Sequence, residues 1–167
     1  VNEIQLIRAQ LATERLHLST IAQACASSAA QAATVRAARL DYLLCVLGWF
    51  EARDQRLGEL LRAPPGDLDE GTRRALEAAL GQAGASGEAL GRLRAAHSTA
   101  AWQACAHFID TAWGARRDAL DALLTTLARA SDWRRIAGID ADSILQERRL
   151  FELATAASAA APATVRC

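Results

Sequence analysis

Glu14 and His17 stand three residues apart, a spacing that carries two side chains to one side of a helix, and an acid with an imidazole there is half the ligand set of a helical di-iron centre. Glu14 is also the one charged member of a stripe, Ile4, Ile7, Leu11, Glu14, Leu18, Ile21 and Cys25, that repeats at steps of three and four. A carboxylate on the buried side of a helix needs a cation, a proton or a metal, because leaving it unpaired out of water costs several kcal/mol. Further along, His97 and His107 fall on steps compatible with one stripe, Asp110 follows His107 by three, and Glu147 lies between Ile144 and Leu150. Glu14, His17, His97, His107 and Asp110 are therefore the candidate metal ligands, and His with carboxylates inside a bundle would suit non-haem iron. A haem would instead take His97, His107 or a Cys as axial ligand among Trp102, Phe108 and Trp113. The competing reading sets Glu14 against an Arg of a neighbouring helix and leaves each His hydrogen-bonded or solvated.

These residues need helices to position them. The first helix is predicted from about Asn2 to Ala26, with Ser28 and Gln31 spaced as a capping box for the second. The second carries the seam Leu40, Leu43, Leu47, Phe50, Asp54, Leu57 and Leu61 and stops at Ala63, since Pro64 and Pro65 disfavour helix in the residue before them. A turn at Ser27 and Ser28 would bring Asp41 level with Glu14 and leave Asp54 about 15 Å away along the axis. Asp67 and Glu70 open a short helix over about Leu68 to Ala83, closed by Gly84, and Ser86 caps a long helix from Glu88 to about Arg129, kinked near Gly114. Ser131 caps a turn ended by Gly138, and Ser143 with Gln146 opens the last helix, whose apolar face is Ile144, Leu150, Phe151 and Ala154.

The composition agrees. Alanine is roughly a quarter of the 167 residues, good helix formers supply much of the rest, and β-branched and aromatic residues are sparse. The reading is an all-α, up-and-down bundle of four main helices with a short extra helix after the second. One domain spans 1–155, and 156–167 is a frayed tail.

Formal charge is zero, which removes the long-range field that would gather the chain on nucleic acid or an anionic membrane. Arg74 to Arg94 outlines a helix, a turn and a helix, yet Arg92 and Arg94 lie beyond the first turn where base contacts concentrate. Every basic residue is Arg, which excludes a Schiff-base lysine and a phosphate-loop lysine. Cys25, Cys45, Cys105 and Cys167 form no C-x-x-C pair and read as small hydrophobes in a reducing compartment. Tyr42 to Phe50 is about half the length of a membrane span and no signal peptide is visible, so the expectation is a cytoplasmic protein.

The bundle and the segment Glu14-Arg15-Leu16-His17 resemble the hemerythrin-like and ferritin-like four-helix families. That resemblance implies a di-iron site, but the H-x-x-x-E and H-x-x-x-H pairs of hemerythrin-like proteins are absent, so here the site would be lost or rebuilt. Tyr42, Val46 and Trp49 on the second helix, and Trp102, Cys105, Ile109 and Trp113 on the third, form second apolar stripes that point to a homodimer. The leading expectation is a non-enzymatic helical bundle acting through protein contacts, as homodimer, adaptor or chaperone-like module, without cofactor. A metal- or haem-binding sensor or storage bundle is the alternative.

Overall fold

The computed structural model describes residues 3–27, 33–62, 68–81, 88, 91–95, 98–130 and 139–159, and all of the regular structure among them is helical. The chain is all-α, as its composition requires. Helix α1 runs Glu3–Ser27, α2 Ala33–Arg62 and α3 Glu70–Leu80. Residues 91–95 are helical, followed by α4 at Thr99–Phe108, a π-helical segment at Ile109–Trp113, α5 at Gly114–Ala130 and α6 at Ala141–Ala159. No helix of the described residues is long and apolar enough to cross a membrane.

Helix ends follow local capping chemistry. Asp69 caps α3: its carboxylate accepts from the Thr72 amide at 3.0 Å and from the Thr72 hydroxyl at 2.6 Å. The helix ends at Gly81, so it starts at a cap two residues after the expected Asp67 and closes before Gly84, which lies outside the described residues. Ser98 accepts from the Ala101 amide and restarts the chain as α4, which divides the single long helix expected from Glu88. Asp140 and Ser143 form a reciprocal box: each side chain accepts from the other's amide, at 2.7 and 3.0 Å. Ser143 is therefore the inner partner of this cap, not the opening residue expected with Gln146. Helix α6 continues to Ala159, three residues past the start of the expected tail. The capping residues expected at Ser28, Gln31, Ser86 and Ser131, and the stop at Ala63, lie outside the described residues.

Helix α1 packs on α2, on α4 with the π segment and α5, and on α6, while α2 packs on α6 and α3 bridges α2 and α5. The α1 seam is buried from Ile7 to Cys25, and Leu43, Leu47, Phe50, Asp54 and Leu57 are buried on α2. Tyr42 and Val46 are also buried, because α6 covers the second face of α2, and Trp102, Cys105, Ile109 and Trp113 are buried as well. The stripes that suggested a second subunit are thus largely consumed inside one chain.

Bonds donated by Arg39 to the Ala24 carbonyl and by Arg53 to Glu14 show that α1 and α2 run antiparallel. They also correct the expected register, which placed Asp41 beside Glu14. Helix α1 ends at Ser27 and α2 begins at Ala33, and Arg53 reaches Glu14 instead. At the far end of α2 the Leu61 carbonyl, an orphan acceptor of a helix terminus, receives the Arg73 guanidinium at 2.5 Å.

The packing sets expected stabilities. Leu18→Ala should cost about 2–5 kcal/mol in urea unfolding, whereas Leu16→Ala, on an exposed position, should stay within about 0.5 kcal/mol. Added β-carbons at Gly48 and Gly58 meet nothing within 4 Å, so alanine there should stabilise by about 0.5–1 kcal/mol. At Gly114 a β-carbon would sit 3.1 Å from the Ile109 carbonyl, and the same substitution should gain less than at either other position.

Candidate functional site

Three buried acids organise the interior. Glu14, fully buried, takes a two-pronged bond from Arg53, 2.5 Å from Nη1 to Oε2 and 3.3 Å from Nη2 to Oε1, and Gln10 donates to Oε1 at 3.2 Å. Asp54 sits between Arg116, at 2.5 Å, and Arg117. Phe50 separates the two clusters: the Arg53 and Arg117 guanidinium groups lie 5.0 and 5.2 Å from its ring centre, and Trp113 meets its edge. Charge-assisted hydrogen bonds and aromatic faces offset part of the cost of burying two carboxylates and three guanidinium groups, while Nε of Arg116 and of Arg117 has no hydrogen-bond partner among the described residues.

Glu147 differs. It is buried on α6 and accepts from the Tyr42 hydroxyl at 2.6 Å, while His17 Nδ1 lies 3.0 Å from the same Oε1. The His17 ring stacks on Phe151 at 3.7 Å between centroids, and Phe151 meets Tyr42 edge to face. With Nδ1 as the donor, the Glu147 Oε1 accepts from both Tyr42 and His17. Burial first, and then the bond to Glu147, raises the Tyr42 phenol far above its ordinary range.

The five candidate ligands do not meet. Glu14 turns to α2 and His17 to α6, because three residues along a helix also turn the side chain by about 60°. Asp110 accepts from Ser19 at 2.8 Å and from Gln23 on the outer side of the α1–α4 contact, and His107 is exposed. His97 lies outside the described residues. Among the described residues no three His, Cys, Asp or Glu side chains gather as a metal site. The cation beside Glu14 is a guanidinium. The sequence reading missed Arg53, Arg116 and Arg117 as core residues, although Asp54 inside the α2 seam was a second acid demanding a cation.

A concave feature among the described residues lies beside the π segment. A groove of about 360 Å³ runs between α1 and residues 109–121, floored by Ile109 and Trp113 and edged by Leu16, Ser19, Asp110 and Asp121. Inserting one residue into a helical turn swings the following side chains, and such π insertions concentrate at functional sites. Arg15 spans the groove's side: it bonds Asp118 at 2.6 Å and the Gly114 carbonyl at 3.2 Å. A β-carbon at Gly114 would stand 3.6 Å from Arg15 Nη2, an ordinary contact, so the tight neighbour there is the Ile109 carbonyl at 3.1 Å. The Arg15 bond holds the Asp118 carboxyl below its ordinary range, while burial raises Asp121.

Compared with protein-family models, curated proteins and solved structures, the chain finds no match. The functional reading rests on this geometry alone.

The site yields a spectroscopic test. Tyr42 is the sole tyrosine, and its hydroxyl is held neutral in the fold while the unfolded chain ionises near pH 10. The folded-state value is raised, so this stabilisation is complete below pH about 10 and is lost as pH rises beyond it. Tyrosinate absorbance should therefore appear only together with loss of helical circular dichroism. Ionisation near pH 10 with the helices intact would place Tyr42 in solvent.

Proposed function

We propose that this chain is a non-enzymatic helical protein that acts through protein contacts, and that the groove between α1 and the π segment is its contact site. The observation that carries the reading is Leu16, 66% exposed at the lip of a groove with an apolar floor and a charged rim. An apolar centre ringed by polar groups is the anatomy of an interface, and a groove of this size accepts one or two side chains of a partner. The outer face of α6 adds exposed Leu145 and Leu153, two turns apart. The interior supports the same reading: Glu14 and Asp54 are closed by Arg53, Arg116 and Arg117, so neither is available as an acid, a base or a ligand. The dispersed thiols fit a cytoplasmic setting. A second copy of the chain is one occupant among protein partners.

A photoreactive residue at Ser19 tests this in the native cell. Ser19 should give a discrete protein adduct, a species of twice the chain mass marking a second copy, and Leu16→Glu should abolish it without changing the unfolding midpoint. The same probe at exposed Glu77, on α3, should give none. No discrete adduct at Ser19, or an adduct indifferent to Leu16→Glu, contradicts the proposal.

A further inference from the structure

Two of the cysteines occupy matching positions on neighbouring helices. Ser19 bonds Asp110 and Arg15 bonds Gly114, so advancing along α1 means retreating along α4 and the π segment. Cys25 lies six residues past Ser19, and Cys105 lies five before Asp110, which brings the two to within about one residue rise, 1.5 Å, of the same level. Both are buried and both belong to the hydrophobic core between these helices. Their mutual influence agrees with this placement: after burial, Cys25 is what pushes the Cys105 thiol upward.

A second observation distinguishes the two thiols. Arg39, only 6% exposed, donates to the Ala24 carbonyl at 3.3 Å and to the Cys25 side chain. The other buried arginines, Arg53, Arg116 and Arg117, each face a carboxylate, whereas among the described residues Arg39 forms no ion pair with Asp or Glu. A buried guanidinium without an acid is costly, and a thiolate at Cys25 would supply the missing negative charge.

We propose that Cys25 and Cys105 are a thiol pair that closes reversibly into a cross-link between α1 and α4 by exchange with a small-molecule disulfide, Cys25 attacking and Cys105 resolving. In the first step the Cys25 thiolate, its proton released to water, attacks one sulfur of oxidised glutathione. A Cys25–glutathione disulfide forms, and one glutathione thiolate leaves. In the second step the deprotonated Cys105 attacks the Cys25 sulfur and expels the second glutathione. One protein disulfide and two glutathione thiols replace two protein thiols and one small disulfide, and the two electrons pass to glutathione. Transient cross-links of this kind are the ones found in reducing compartments.

Burial raises both thiols to about 11, Arg39 partly opposing this at Cys25, so closure in the native state is slow and needs an opening. The fold supplies one. Cys25 lies in the last turn of α1, which ends at Ser27, and terminal turns open locally without global unfolding.

The test uses the full chain with Cys45→Ser and Cys167→Ser, which leaves only this pair. Incubation of the folded protein with oxidised glutathione should lower the intact mass by two hydrogens, peptide mapping should join Cys25 to Cys105, and the thermal midpoint should rise. Cys105→Ala should trap one glutathione on Cys25, and Arg39→Met should slow its capture several-fold at unchanged helical content. In the wild-type chain the joined peptides should be the same. Three results overturn the proposal: thiols that stay unmodified for hours in the folded chain, a disulfide mapped to another pair in the wild type, or a glutathione trapped on Cys105 rather than Cys25 when each is replaced in turn.

Discussion

Glu14 meets Arg53 inside the helical core, and the arrangement of the helices follows from the need to make and keep that bond. A fully buried carboxylate has few acceptable surroundings, and on an alanine- and leucine-rich interface it is the group that tells one register from another. Apolar side chains of similar size tolerate a slip of one turn between helices, since the area removed from water changes little. An ion pair does not, because a slip of one turn, about 5.4 Å, leaves both charges buried and alone. The same logic recurs twice. Asp54 between Arg116 and Arg117 fixes α5 against α2, and Glu147 between Tyr42 and His17 fixes α6 against both α1 and α2.

Much of the fold was legible because it depends on periodicity. The stripe from Ile7 to Cys25 is buried residue by residue, Glu14 included, and so is the α2 seam from Leu43 to Leu57. Caps within loops were read less well. Asp69 and Asp140 begin their helices, but Asp67 and Ser143 offered equally good side chains nearby, and which oxygen reaches an amide depends on the backbone angle of the entering chain. An irregularity was expected near Gly114, where the π segment at Ile109–Trp113 ends, but the break at Ser98 was invisible for a different reason. Alanine-rich sequence is compatible with uninterrupted helix, and tertiary packing overrides it.

The candidate chemistry was legible in its demand and not in its answer. The lone acid in the seam announced that something must face it, and the sequence held nineteen Arg and three His among the possible partners. Only the crossing of α1 and α2 selects Arg53, and it does so at a register that a tight turn at Ser27 and Ser28 would not give. The second apolar faces of α2 and α4 raised the opposite problem. Periodicity reports that a face is covered without naming the cover, and here the neighbouring helices of the same chain supply it. Among the described residues, the large apolar side chains that remain outward are Leu6 and Leu16 on α1 and Ile144, Leu145 and Leu153 on α6.

The central claim is that the Glu14–Arg53 pair sets the helix register, and a double-mutant cycle in urea unfolding measures it directly. Glu14→Leu and Arg53→Met should each cost about 3–5 kcal/mol, since each leaves one buried charge without its partner. The double substitution should recover most of the loss of either single change and keep the helical content. Two single substitutions that each shift stability by less than about 0.5 kcal/mol and simply add would contradict the account, because the pair would then not be the constraint on which the packing depends.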